Sequence, residues 1–280
     1  MSSQQDGPGV FEGGVVNDKR QRSWFSGLSE LVFPPVCLVC RDPLSENERH
    51  ICSDCRKRIS LITSPLCTQC GRPFSTADDR DHLCGGCIAS PPPFDVARSL
   101  GVYGDALLAL IQLFKYHRRF HLAETMVRLM TDASYPGLNP SEFDVIVPVP
   151  LHKKRLRERG YNQSLLLARG LGERWGVPVD GRGLLRIRWT EPQVTLTPGE
   201  REKNVRGAFA VREKRGSGRP GAVSGFMRRS RVSSSYEDAS VLLVDDVYTT
   251  GATVRECARV LSRAGARRVG VLTTARVVVR

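Results

Sequence analysis

The chain has 280 residues, enough for one large or two smaller domains, and 40% of them are hydrophobic, enough for a real core. Lys and Arg total 42 against 29 Asp and Glu, a formal net charge of +13. That balance favours polyanionic or phosphorylated partners, although charge by itself discriminates weakly. No run approaches the ~18 apolar residues of a membrane span; the longest, around Ala106–Phe114, is interrupted by Gln112. Met1–Arg22 is polar and charged and lacks the apolar middle and cleavage site of a secretory signal. A cytoplasmic location is therefore expected, where the nine cysteines are metal ligands or free thiols rather than disulfides.

Residues 1–30 read as a disordered extension, with a short helix near Trp24–Val32. Residues 31–90 carry four Cys-x-x-Cys pairs: Cys37/Cys40, Cys52/Cys55, Cys67/Cys70 and Cys84/Cys87, separated by eleven, eleven and thirteen residues. Each pair can set two thiolates on one metal from a tight knuckle, and two knuckles close a tetrahedral four-thiolate site. Eight cysteines make two such sites, which predicts two structural Zn²⁺ ions in a small double zinc ribbon. Pro35, Pro43, Gly71, Pro73, Gly85 and Gly86 suit knuckle turns. A disulfide framework and iron–sulfur ligation are the alternatives. Spacing leaves open which pairs share a zinc; joining first to second and third to fourth gives the shorter loops and is expected. His50 and His82 are surplus to two complete sets and read as surface histidines, and Cys257 as a small core residue.

Ser90-Pro-Pro-Pro-Phe94 marks a rigid linker, with a second domain over 94–280. Val96–Tyr103 reads as a strand, and Leu107, Leu108, Ile111 and Phe114 give Asp105–Tyr116 an amphipathic helical face. Lys115-Tyr116-His117-Arg118-Arg119 fits either a phosphate or nucleic-acid contact or a solvated connection to a second helix, Leu122–Met130. Phe143–Pro150 is an apolar strand. It leads into a dense basic loop, residues 151–163, in which Arg157 and Arg159 could neutralise a pyrophosphate and Gly160 permits close backbone approach. A solvated charge run is the bland alternative. A helix follows from Gln163 to Trp175, stopped by Gly176, then a strand at Leu184–Arg188. Thr190–Phe209 is long for a plain connection and points to a mobile lid over a site. Phe209–Val211 begins another strand, and residues 213–235 read as a disordered basic insertion.

Val241–Thr253 combines three parts. Val241–Val244 is an apolar run suited to a strand buried on both faces of a parallel sheet. Asp245 and Asp246 follow, and then Thr249-Thr250-Gly251-Ala252-Thr253 opens a helix marked by Val254, Cys257, Ala258 and Leu261. Free backbone N–H groups and hydroxyls at a helix N-terminus make an anion site, and adjacent carboxylates can accept hydrogen bonds from vicinal sugar hydroxyls. A sugar phosphate is the implied ligand; a solvated surface turn is the alternative. Gly265 stops the helix, and Val269–Thr274 supplies a last strand. The stretch resembles the phosphoribosyl-pyrophosphate (PRPP) signature of type I phosphoribosyltransferases.

Four features together resemble the ComF family of competence proteins, over roughly residues 35–280. They are the paired cysteines; Val147-Pro148-Val149-Pro150-Leu151 with Arg159-Gly160-Tyr161-Asn162-Gln163; the block containing Thr190, Gln193, Leu196, Arg201, Asn204 and Phe209; and the acid-pair loop. The N-terminal extension and the 213–235 insertion depart from the family pattern. The resemblance implies an α/β fold: a type I phosphoribosyltransferase, with a Rossmann-like parallel sheet and flanking helices, behind a double zinc ribbon. It implies that Asp245 and Asp246 bind the ribose hydroxyls and that Thr249, Thr250, Gly251, Ala252 and Thr253 cradle the 5′-phosphate. Arg157 and Arg159 would face the pyrophosphate with Mg²⁺, and Gln193, Arg201 and Asn204 would belong to the lid. In this superfamily a nucleophile displaces pyrophosphate from the anomeric carbon through an oxocarbenium-like transition state, so positioning and electrostatics carry the chemistry. Single-stranded DNA and a protein of the DNA-uptake machinery are the implied partners. A phosphoribosyltransferase acting on a nucleobase or amine, and a PRPP-sensing regulator without turnover, are the alternatives.

Overall fold

The computed structural model describes residues 35–75, 80–116, 119–190, 198–212 and 236–278. The N-terminal extension, the helix near Trp24–Val32 and the 213–235 insertion, all sequence expectations, lie outside the described residues. In chain order the elements are α1 (Ser53–Lys57), α2 (Gly85–Ala89), β1 (Val96–Val102), α3 (Asp105–Tyr116), α4 (Leu122–Thr131), β2 (Val145–Pro148), α5 (Lys153–Arg159), α6 (Gln163–Trp175), β3 (Leu184–Arg186), α7 (Pro198–Val205), β4 (Phe209–Val211), β5 (Ser240–Tyr248), α8 (Ala252–Arg263) and β6 (Arg268–Arg276). Among the described residues no helix is long and apolar enough to cross a membrane.

β1, β6, β5 and β2 form a four-stranded sheet in that order, and every neighbouring pair is parallel. A parallel sheet must be covered on both faces, and β5 shows how. Leu242 and Val244 join the core built by α3, α4 and α6, whereas Val241 and Leu243 join the core on the α8 side. All four are fully buried, as strand alternation between two covered faces requires. β3 and β4 stand apart as a two-stranded antiparallel pair. The strand expected at 184–188 therefore forms, shorter, outside the main sheet.

The ribbon closes one edge of that sheet. β1 is the end strand, and ribbon backbone bonds along its free side: Ile62 N–H donates to Leu100 O at 3.0 Å, Val102 N–H to Ser60 O at 2.8 Å and Ala97 N–H to Gln69 O at 2.7 Å. An unpaired edge is a pairing hazard, and this contact removes it. The first cysteine cluster packs into the core of one sheet face (Cys37, Cys52, Cys55) and the second into the core of the other (Cys67, Cys70, Cys87). Arg276, at the end of β6, donates to Cys70 O at 2.7 Å, and its guanidinium lies 4.1 Å from the Tyr248 ring centre. Phe94 of the proline linker is buried. Val36–Arg280 is accordingly one packed unit, with the linker inside it rather than between freely jointed parts.

His50 departs from its surface reading: its Nδ1 lies 2.8 Å from Thr125 Oγ1 on α4 and its ring 4.8 Å from His121, so it belongs to the ribbon seam. His82 is exposed as expected and stacks on Phe74 at 4.0 Å. Two glycines permit the close approach of ribbon and β1. A Cβ on Gly71, whose φ is +71°, would collide with the Ala97 carbonyl oxygen, and one on Gly101 would stand 2.8 Å from Ser60 O.

Gly101→Ala should therefore destabilise the chain by about 1–3 kcal/mol, the usual cost of overpacking. Urea unfolding should show a lowered midpoint at unchanged slope; a midpoint matching the parent would mean that the fold does not depend on this approach.

Candidate functional site

β5 does not end at its apolar run. It continues through Asp245 and Asp246 to Tyr248 and keeps parallel partners on β6, with Asp245 opposite Thr273 and Tyr248 opposite Arg276. The pair thus stands on rigid strand, where the sequence placed it at the point of exit. Carboxylates this close and this buried need compensation. Lys115, the penultimate residue of α3, supplies it with an ion pair to Asp246 Oδ2 at 3.0 Å, the two side chains being 16% and 13% exposed. Ser164 Oγ donates to Asp245 Oδ1 at 2.9 Å, and the Asp246 backbone N–H donates to the same oxygen at 2.9 Å. Burial, and then the neighbouring Asp246 charge, push Asp245 from 3.8 up to about 7. Burial pushes the Lys115 ammonium down, but Asp246 and Asp245 outweigh it and its pKa is raised. The basic segment after α3 had two readings; Lys115 resolves toward the site, while His117 and Arg118 lie outside the described residues.

The loop after β5 turns into α8 at Gly251, the N-cap, with φ +80°. A Cβ there would collide with the Tyr248 hydroxyl, so the loop lies close over that buried ring. Thr250 Oγ1 accepts from Ala252 N at 3.5 Å. Thr249 and Thr253 line an open cleft of about 370 Å³ together with Asp245, Asp246 and Val247. Thr250, Gly251 and the buried Ala252 shape the turn rather than line the cleft. The positive dipole end of α8 and two threonines facing a cavity are an arrangement suited to an anion.

The opposite wall differs from the expected basic loop. Residues 153–159 form α5, with His152 as N-cap, its Nδ1 accepting from Lys154 N at 3.3 Å, and Gly160 as left-handed C-cap. Helical spacing sends Arg155 and Arg159 to one side and Arg157 to the other. Arg155 and Arg159 line the cleft, and Arg157 is exposed outside it. Arg157 is thus replaced by Arg155 at the site. Gly160 is exposed, with open space where a Cβ would stand, so it ends a helix and does not carry close backbone approach. Arg159 donates to Gln163 Oε1 at 3.3 Å and lies 5.6 Å from the Tyr116 ring centre.

Several cleft residues were given no role in the sequence: His152, Arg155 and Ser164 at the starts of α5 and α6, Arg186 at the end of β3 and Trp189 beyond it; Gln163 entered only as part of a motif. Gln163 is 1% exposed, yet its Nε2 has no hydrogen-bond partner, and neither has Arg186 Nε. Burial lowers the Arg186 pKa. Of the expected lid, residues 191–197, Gln193 included, lie outside the described residues. The rest is largely α7, fastened by Arg188 Nη2 donating to Asn204 O at 2.8 Å and to Arg206 O at 2.7 Å, and by Gly207 N donating to buried Glu256 at 2.8 Å. Neither Arg201 nor Asn204 lines the cleft.

The cysteines gather into two sets, Cys37/Cys40/Cys52/Cys55 and Cys67/Cys70/Cys84/Cys87, each with its sulfurs within 4.8 Å of one another. This is the consecutive pairing the loop lengths favour. Four thiolates at that spacing suit tetrahedral Zn²⁺, with no position for water, which makes the sites structural. Burial pushes the Cys37 and Cys67 thiols up. Backbone N–H donors, led by Cys40 in one set and Cys84 in the other, outweigh it and leave both at about 6. Arg58 Nη2 donates to Cys55 Sγ at 2.8 Å. Cys257, on α8, is fully buried, as a core residue.

A double zinc ribbon domain model matches residues 28–88, and a phosphoribosyl transferase domain model matches residues 177–277. Fold and site together define a phosphoribosyltransferase-domain protein fronted by a double zinc ribbon. The DNA utilization protein YhgH of Salmonella typhi is 32% identical over 244 residues, 86% of this chain and 96% of that protein. Competence protein F of Haemophilus influenzae is 30% identical over 243 residues, with the same coverage of 86% and 96%. Competence protein ComFC of Bacillus subtilis is 27% identical over 249 residues, 82% of this chain and 90% of that protein. The chain belongs to the ComF family that these proteins represent.

Metal analysis of protein prepared without chelator should find two zinc ions per chain. Stripping them should lower the unfolding temperature of the whole unit, because the ribbon caps β1; one ion or none would contradict the paired clusters. A second expectation concerns pH. Unfolded, the Asp245 carboxyl ionises near 3.8, and folded at about 7, so the folded chain holds this proton longer. Its contribution to stability is complete below 3.8 and is lost as pH rises through about 7. Asp245→Asn removes that loss. The variant should gain on the parent in unfolding temperature as pH rises from about 4 to about 7, with no further gain above that, and a pH-independent difference would contradict the buried, proton-holding carboxyl.

Proposed function

We propose that the cleft binds PRPP, with Mg²⁺ accompanying the pyrophosphate, and that the chain uses this site in handling single-stranded DNA in the cytosol. The observation that carries the PRPP reading is the juxtaposition of Asp245 and Asp246 on β5 with the Gly251 turn into α8. Carboxylates accept hydrogen bonds from the ribose 2′- and 3′-hydroxyls, and the helix start takes the 5′-phosphate. Arg155 and Arg159, on the facing wall, supply cations for the pyrophosphate. Lys115 then has two roles: it neutralises Asp246 in the free chain and offers a second charge near the phosphates.

The DNA half of the reading rests on the family, whose members carry names for DNA utilization and competence. It is also consistent with the net charge of +13. Eight cysteines in closed thiolate clusters fit a reducing compartment. A protein of the DNA-uptake machinery is the corresponding partner.

Calorimetric titration with PRPP and Mg²⁺ tests the site. The double substitution Asp245→Asn, Asp246→Asn should abolish measurable binding while circular dichroism and zinc content stay those of the parent. Parent-like affinity in the doubly substituted chain would remove the acid pair from the site. Release of pyrophosphate, followed across nucleobases and amines, decides between substrate and signal.

A further inference from the structure

The cleft lining includes an aromatic side chain that PRPP does not account for. Trp189, half-buried, lines the cavity just beyond β3. Three basic side chains gather on its indole. The His152 ring is 5.3 Å away and edge-on at 66°, the Lys154 ammonium is 4.7 Å from the ring centre, and the Arg155 guanidinium is 5.7 Å from it. The same cleft is lined by Gln163 and Arg186, whose Nε2 and Nε have no hydrogen-bond partner among the described residues. A buried N–H without an acceptor is costly, and few remain so in a folded protein. Gln163 is locked at the start of α6 and its Oε1 is already engaged by Arg159. Its amide nitrogen is thus available to an acceptor that enters the cleft.

These features specify the chemistry of the entrant. The indole face calls for a flat aromatic group, the unmet donors for carbonyl or ring-nitrogen acceptors on it, and the cations for a phosphate attached to it. A nucleobase bearing a phosphate meets all three. Stacking on an aromatic side chain with flanking cations is also how proteins hold single strands without reading their sequence.

We propose that Trp189, with Lys154, Arg155, Gln163 and Arg186, forms a nucleotide subsite in the cleft proposed for PRPP, and that it takes the terminal nucleotide of a single DNA strand. The base lies on Trp189 and accepts from Gln163 and Arg186, its phosphate takes Lys154, and Arg155 is shared between that phosphate and the pyrophosphate. This extends the proposed function, and rests on it, by placing the strand and the sugar phosphate in one cavity.

The test uses the full, zinc-loaded chain and two probes, a fluorescein-labelled ten-residue oligothymidylate and thymidine 5′-monophosphate. Unlabelled oligothymidylate should quench tryptophan emission. Trp189→Phe should keep the affinity for the labelled strand but lose the quenching, and Trp189→Ala should weaken binding about five-fold or more. Lys154→Ala should lower the salt dependence of binding by about one phosphate contact. Unchanged circular dichroism and zinc content exclude a folding defect. Quenching by the monophosphate that the strand cannot compete away would assign the subsite to a free nucleotide and overturn the strand assignment. Strand binding indifferent to Trp189 would overturn the subsite and leave DNA handling to another surface. A parent chain that binds PRPP but neither probe overturns the subsite and the DNA reading together. Failure to bind PRPP while Trp189-dependent quenching persists would sink the PRPP reading alone.

Discussion

Everything at the site depends on holding two adjacent carboxyl groups in order where a buried strand meets the cleft, Asp246 in an ion pair with Lys115 and Asp245 with its proton affinity raised by burial. Asp245 and Asp246 follow four fully buried aliphatic residues on β5, so they are held on strand geometry rather than on a loose loop. Water cannot screen them well there, and the surrounding elements supply the compensation. α3 delivers Lys115, and α6 delivers Ser164 from its first turn. The packing of α3 and α6 on one face of the sheet is thus what makes two adjacent buried carboxyl groups tolerable. A ligand rich in hydroxyls and accompanied by a cation would relieve the same strain, which is why the pair reads as a binding element and not as ornament.

The zinc ribbon enters this logic through the sheet. A parallel sheet needs both faces covered and its edges protected, and among the described residues β1 has no strand beyond it. Ribbon backbone bonds along β1, and the two cysteine clusters plug opposite faces. Arg276 joins the two systems directly, reaching Cys70 from the end of β6 while covering the Tyr248 ring under the Gly251 turn. One chain of contacts therefore runs from the second cysteine cluster to the Gly251 turn. Metal loading and the shape of the loop are physically connected through it.

Much of this was legible in the residues, and the misses have physical causes. Four evenly spaced Cys-x-x-Cys pairs admit few arrangements, and the shorter-loop pairing is the one that forms. Val241–Val244 has no polar interruption, which marks a strand covered on both sides, but where it would stop was hidden. Edge polarity suggested an exit at Asp245, whereas backbone pairing with β6 carries the strand to Tyr248. The 151–163 segment looked like a loop because charge dominated it. Its run of helix formers between His152 and Gly160 held the better signal, and reading it as a helix would have exchanged Arg157 for Arg155. Trp189 had no periodic context in sequence, and only the return of the chain past β3 brings it to the α5 side. The seam between ribbon and β1 is non-local, with no sequence signature beyond Gly71 and Gly101.

The claim at the centre is that the Thr249–Ala252 turn, at the end of β5, is a phosphate cradle facing the acid pair. Hydrogen exchange of its backbone amides measures this directly. Adding PRPP with Mg²⁺ should slow exchange across residues 249–253, with a smaller effect or none at the exposed Arg157 turn of α5. Unchanged exchange at 249–253 under saturating PRPP and Mg²⁺ would contradict the account.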